Sequence, residues 1–139
     1  MGKFLGQYNP SITEGSRIAL PKKIRKHIRG REVVLSKGFD KCIFVYDKND
    51  WMDAARRKVE TPRGEVSTEE LERYLYTSAT EASVDSQGRI VLPSDLIEFA
   101  ELSSKTAVLG VGDHVELWDL DNWNAYLKRV SNKLIASKE

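Results

Sequence analysis

One cysteine, two histidines and four prolines are all that this chain of 139 residues carries of those types. A lone Cys42 closes no disulfide within the chain, and with His27 and His114 in separate segments it builds no metal-ligating cluster. Its apolar surroundings predict a buried small hydrophobe rather than a reactive thiol. Long hydrophobic runs are missing too. IFVY at 43–46 and AVLGV at 107–111 fall far short of the ~20 apolar residues that span a bilayer. The opening MGKFLGQYNP lacks the apolar segment and cleavage site of a secretory signal, so a cytoplasmic protein without a membrane role is expected. There is no P-loop, no GxGxxG and no spaced nucleophile, base and carboxylate set. No catalytic residue, cofactor or metal ligand is therefore assigned, and an enzyme is not expected.

Acids are absent from one stretch. Between Gly15 and Arg31 there is none, while Arg17, Lys22, Lys23, Arg25, Lys26, Arg29 and Arg31 supply seven bases. The rest of the chain holds 15 bases (22 − 7) against 21 acids, so the net charge of +1 hides a segregated distribution. One basic face is the footprint of a polyanion binder. The plainer reading is a solvated basic helix surface.

What is present repeats itself. The length suits one ordinary domain with a real core, and a shift of 72 residues lays one half on the other. Arg17, Ile18, Leu20 and Pro21 fall on Arg89, Ile90, Leu92 and Pro93; Gly38 falls on Gly110, Asp47 on Asp119 and Trp51 on Trp123, without a gap. The reading is an internal duplication of two units of roughly 45 residues, at 7–52 and 79–124, with a helical connector at 53–78 and a C-terminal helix and tail at 125–139.

Each unit has one grammar. A turn leads into RIALP or RIVLP, whose proline can open a short helix where its missing N–H costs nothing. Two β-rich stretches follow, with glycine-centred breaks at KGFDK and GVGDH suited to hairpins. A helix then starts near Asp50, and another carries Trp123, Tyr126, Leu127, Val130 and Leu134 at helical spacing. Ser67 and Glu70 have capping-box spacing ahead of a connector helix with Leu71, Tyr74 and Leu75. The tryptophans and tyrosines recur with helical period, which suits core or subunit contact better than base stacking.

Two copies of a D-x-x-G-R-hydrophobic-x-hydrophobic-P element, each followed by a glycine hairpin, an aromatic-Asp pair and a downstream Trp, resemble the MraZ family of bacterial transcriptional regulators. The likeness runs over about residues 4–130, from FLGQY to HVELWD. It implies a mixed β/α fold, a double-split swapped-hairpin β-barrel of AbrB/SpoVT type built from two repeats, with peripheral helices. It also implies a ring-forming homo-oligomer that binds tandem short repeats in double-stranded promoter DNA of the cell-division and cell-wall gene cluster, in the cytoplasm and at the nucleoid. The motif arginine approaches DNA in that family, a role that falls on Arg89 by full match and on Arg17 by alignment. Asp85 and Gly88 support the second turn. In the first copy Thr13 replaces the acid, and Gly15-Ser16 replaces the usual x-Gly order.

An arginine projecting from a glycine turn matches the O6 and N7 acceptors of guanine, worth about 1–3 kcal/mol of discrimination. Lysines contact phosphates and carry affinity rather than sequence. The sequence neighbourhood thus predicts Arg17 as base reader, with Lys22, Lys23 and Arg25 on the backbone, and Arg89 either on DNA or clamped by Asp85. An antitoxin-type module that uses the basic segment on an acidic protein is the rival reading. RNA binding is a third.

Overall fold

The computed structural model of the chain describes residues 3–137. The first half runs β1 (Gln7–Tyr8), β2 (Arg17–Ala19), α1 (Lys22–Arg25), β3 (Glu32–Lys37), β4 (Cys42–Asp47) and α2 (Trp51–Glu60). A connecting helix, α3 (Thr68–Thr77), opens on the anticipated capping box. Ser67 Oγ accepts from the Glu70 N–H at 3.1 Å, and the Glu70 carboxylate accepts from the Ser67 N–H at 2.8 Å. The second half runs β5 (Thr80–Ser83), β6 (Arg89–Val91), α4 (Ser94–Phe99), β7 (Thr106–Gly110), β8 (Val115–Asp119) and α5 (Leu120–Ser137).

Six strands form an antiparallel sheet in the order β1-β7-β8-β4-β3-β5, and β2 pairs with β6 in a separate ribbon. A closed barrel is not what these hydrogen bonds draw. The large sheet is open, with β1 and β5 as its edges, and the ribbon does not continue it. Ribbon and sheet meet through side chains instead. Ile18, Leu20, Ile90 and Leu92 share one apolar cluster with Ile43, Val45, Val115 and Leu117, closed over by Ile24 and Leu96 of the short helices. Strand alternation sends Cys42, Phe44, Tyr46 and Trp118 to the opposite face, where Ala54, Ala55 and Val59 of α2 and Leu71 and Leu75 of α3 cover them.

The duplication is visible in the pairing. In the ribbon Ile18 faces Ile90, and in the sheet Phe44 faces Glu116; both pairs are 72 residues apart (90 − 18, 116 − 44). A strand that pairs antiparallel with its own copy about equivalent residues marks a local twofold axis. The match is not gapless, however. Val33 faces Asp47 while Thr106 faces Asp119, so β3 and β7 correspond at 73 residues although β4 and β8 correspond at 72. Gly110 consequently closes β7 opposite Val115, whereas Gly38 lies beyond the last pair, Lys37 with Ile43, inside the hairpin turn. Side chains alternate along a strand, so an uncorrected one-residue slip would turn a whole strand over. The offset keeps Leu35 and Val108 in the same cluster.

Candidate nucleic-acid interface

Two turns feed the ribbon. The second, 85–89, is organised by Asp85, whose Oδ1 accepts from the N–H groups of Gln87 (2.9 Å) and Arg89 (2.8 Å). Its Oδ2 accepts from Arg89 Nε at 3.0 Å. The backbone N–H of Arg89, helped by that of Gln87 and by the Arg89 guanidinium, holds the Asp85 carboxyl below the usual carboxylate range. Gly88 has φ +78°, which glycine adopts without strain. Arg89 is thus clamped by the acid four residues before it.

The first turn is built differently. Thr13 and Arg17 exchange backbone bonds (2.8 and 3.3 Å), and the threonine hydroxyl donates to the Arg17 carbonyl at 3.3 Å rather than receiving turn amides. Gly15 and Ser16 both take positive φ, +80° and +57°, so a serine occupies the left-handed position held by Gly88 in the other copy. The Arg17 guanidinium folds over this turn, and its Nη1 gives one long bond to the Glu14 carbonyl at 3.5 Å. Among the described residues no carboxylate pairs with Arg17. Of the two motif arginines, Arg89 is held by a carboxylate and Arg17, among the described residues, is not.

Antiparallel pairing then exchanges their surroundings. The Leu20 N–H donates to the Gly88 carbonyl and the Leu92 N–H to the Ser16 carbonyl, both at 2.9 Å. Leu20 leads into Pro21 and α1, so the basic helix of the first repeat stands beside the turn of the second. Leu92 leads into α4, with Asp95, beside the turn of the first. Arg25 shows the contact directly: its Nε donates to the Leu20 carbonyl at 2.8 Å, and its guanidinium lies so close over Gly88 that an added Cβ would stand 2.5 Å from Cζ. The crossing sets Arg25 of the basic run against the turn of the second repeat, a neighbour that chain order does not show. Arg25 and Arg31 line a cleft of about 190 Å³ together with Val84, Asp85 and Ser86, and the Val84 N–H donates to the Arg31 carbonyl at 2.7 Å.

Lys22 and Lys23 are exposed at the start of α1. Arg29, another member of the basic run, is committed to structure. Its N–H donates to Asp47 Oδ2 at 2.9 Å and its guanidinium pairs with Asp50 at 2.6 Å. Burial opposes the Asp47 charge, but the N–H groups of Arg29 and Asn49 outweigh it and keep the carboxyl below its usual range. Asp119 repeats the arrangement with Ser103 and Asn122, so the aromatic-Asp pair of the sequence is a backbone-satisfying device. Arg31, the last base of the basic run, is brought to Ser86 by the pairing of β3 with β5.

A second polar cluster lies on the other face. His114 is buried, with Nδ1 2.8 Å from Asp113 Oδ1 and Nε2 2.9 Å from Glu116 Oε2. Arg57 and Lys58 reach Asp113 from α2, at 2.9 and 3.5 Å, fastening that helix to the β7–β8 hairpin. His27 is half-buried, edge-on to Phe4. Cys42 is buried as anticipated, and burial raises its thiol pKa well above the ordinary value. Among the described residues no group of three or more His, Cys, Asp or Glu is placed to hold a metal.

Ribbon turns duplicated about a local twofold can be compared with known families. A family model described as "MraZ protein, putative antitoxin-like" matches the chain twice, over residues 4–74 and 75–139. The chain belongs to the MraZ family. Proteins named Transcriptional regulator MraZ are similar to it along most of its length. The one from Desulforamulus reducens is 33% identical over 123 residues, 88% of this chain and 86% of that protein. The one from Roseiflexus castenholzii is 36% identical over 124 residues, 89% and 86% of the two chains. The one from Moorella thermoacetica is 32% identical over 136 residues, 98% and 94%. The duplicated MraZ model and the crossed turns describe the same repeat, one from the family and one from the hydrogen bonds. Homologues so named make transcription regulation the function class of this MraZ chain. Among its described residues no helix is long and apolar enough to cross a membrane.

Proposed function

We propose that this chain is a sequence-specific binder of double-stranded DNA that regulates the cell-division and cell-wall gene cluster from tandem promoter repeats, as a homo-oligomeric ring in the cytoplasm and at the nucleoid. Its two SpoVT-AbrB-type units, 7–52 and 79–124, present one turn each, and swapped hairpins in the manner of a split barrel hold them together. The observation that carries the reading is the pair of arginines at the ends of one ribbon: Arg17, which no carboxylate among the described residues claims, and Arg89, clamped beside the basic helix α1.

Division of labour follows from that geometry. Arg17 is free to offer its planar fork to a guanine edge. Lys22 and Lys23 flank the second turn and neutralise phosphates there. Arg25, bonded to the Leu20 carbonyl and lying over Gly88, positions that turn. One short contact of this kind is weak, and rigidly joined copies on in-phase repeats raise the effective concentration of each next contact. The antitoxin-like family description favours one rival, a module that binds an acidic protein.

Fluorescence anisotropy with duplexes bearing one, two or three direct repeats, over a salt series, tests the reading. Affinity should climb steeply with repeat number and fall with salt. Arg17→Ala, with folding checked by circular dichroism, should lose about 1–3 kcal/mol of discrimination against altered repeats. Lys23→Ala should weaken all duplexes alike and lower the salt slope by about one. Equal binding to random duplex, or better binding to RNA of the same sequence, removes the proposal; unchanged discrimination by Arg17→Ala removes the site assignment.

A further inference from the structure

The C-terminal helix has a face that nothing in the described chain covers. Of the 18 residues of α5 none is buried. Trp123 and Tyr126 rest on Trp118, with ring centroids 5.4 and 4.9 Å away, and the helix then leaves the body. Leu127, Val130 and Leu134 continue the Trp123 stripe at spacings of four, three and four, the pattern of a helix that packs against a partner. Leu127 is 40% exposed and Leu134 59%.

The duplication says what is missing. Under the 72-residue shift Leu127 corresponds to Ala55 of α2, which is 0% exposed because α3 covers α2 on that face. No described element does for α5 what α3 does for α2. A cover is therefore sought outside the described chain, and the surface of α3 itself offers one. Between α3 and the loop before it lies an apolar groove of about 380 Å³, lined by Phe39, Arg63, Val66, Glu70, Leu71 and Tyr74. Charge matches as well. Residues 122–137 hold Lys128, Arg129 and Lys133 and no acid, while residues 64–72 hold Glu65, Glu69, Glu70 and Glu72 and no base. Arg63 is turned onto the Phe39 ring, 4.0 Å from its centroid.

We propose that the outer half of α5 docks into the Phe39–Val66–Tyr74 groove of a second copy of this chain, the basic side of the helix facing the acidic run 64–72. This rests on the oligomeric reading above and specifies its contact. The two surfaces are different patches of one chain, so the contact is head-to-tail and propagates from copy to copy, closing when the rotation allows.

Sedimentation velocity on the full chain tests it. The doubly substituted Leu127→Glu, Leu134→Glu chain and the Val66→Glu, Tyr74→Glu chain should each sediment as monomers. Mixed in equal amounts they should form a one-to-one dimer, because each retains one intact half of the contact. A wild-type chain that stays monomeric at every concentration refutes the oligomeric reading and the contact with it. A wild-type oligomer that both variants preserve refutes the contact alone. Loss of assembly in the α5 variant only, with no dimer on mixing, means that α5 pairs with another α5 or another surface, and refutes the groove. Should charge insertion disturb folding, oxidation of a chain carrying Leu134→Cys and Val66→Cys reads the same geometry. It should give a ladder of covalent oligomers that Leu134→Cys alone does not give, and an unlinked chain refutes the proposal.

Discussion

Positions 16 and 88 are equivalent in the duplication and share a left-handed backbone, φ +57° and +78°, yet one is serine and the other glycine. Exchanging the residue types should move stability in opposite directions. A non-glycine residue in this region costs roughly 1–2 kcal/mol, while glycine brings back roughly 0.5–1 kcal/mol of unfolded-chain entropy. Ser16→Gly should therefore stabilise by about 0.5–1 kcal/mol. Gly88→Ala acquires the backbone strain, about 1 kcal/mol net. It also pushes away the Arg25 guanidinium, which an added Cβ would meet at 2.5 Å. That displacement puts at risk the bond from Arg25 Nε to the Leu20 carbonyl, worth about 1 kcal/mol more. The expected loss is about 2 kcal/mol, or a Tm lower by roughly 6–10 °C. Urea unfolding at one fixed protein concentration measures both, since assembly couples to stability, and unchanged m-values keep the comparison valid. A Ser16→Gly chain no more stable than wild type would refute the strain assigned to the first turn. A Gly88→Ala chain as stable as wild type would refute the packing of Arg25 on the second.

Two further outcomes are expected. Asp47 is 1% exposed and takes N–H bonds from Arg29 and Asn49 at 2.9 and 3.1 Å, so Asp47→Ala removes the buried charged acceptor that pairs both donors. It should destabilise by about 3 kcal/mol in urea unfolding; a loss below about 1 kcal/mol contradicts the role given to the aromatic-Asp pair. Burial opposes the charge of Asp113, but His114, Arg57 and Lys58 together lower its pKa from 3.8 to about 2. Because the folded value is the lower one, its stabilisation is complete above the unfolded pKa of 3.8 and drains as pH falls through about 2. After allowance for solvent screening this is about 1 kcal/mol. Asp113→Asn should flatten the acid limb of a stability–pH curve, and an unaltered limb would show that the α2–hairpin link carries no such stabilisation.

Much of the architecture is legible in the amino-acid order because local chemistry dictates it. Alternation in VELWD places Val115 and Leu117 in one cluster and Trp118 in the other, and the Ser67–Glu70 spacing is a cap that forms as read. The duplication itself is readable from Arg17, Ile18, Leu20 and Pro21. Its consequences in space are not. Periodicity tells which side chains turn inward but not which strand lies alongside, and β2 chooses β6. For that reason Arg25 and Arg31 look attached to the Arg17 turn in the chain and stand beside Gly88 or Asp85 in the molecule. The 73-residue correspondence of β3 with β7 is hidden likewise, since a compensating residue in the hairpin restores the count by Asp47 and Asp119. The clamp on Arg89 was open to inference from Asp85 four residues earlier. The freedom of Arg17 follows from a threonine whose hydroxyl can donate to a carbonyl but brings no charge.

The crossing of the repeats also sets a timetable. Tyr8 is paired with Val108, 100 residues further on, and Ile18 with Ile90. While the chain is being made, β2 has no partner until β6 emerges and β1 none until β7 emerges, whereas the β3–β4 hairpin can close early. Pairings so distant in sequence make folding slow and leave strand edges exposed meanwhile. A chain interrupted near residue 75 therefore yields two halves that each lack the other's strands. What duplicated as a unit now matures only as a whole.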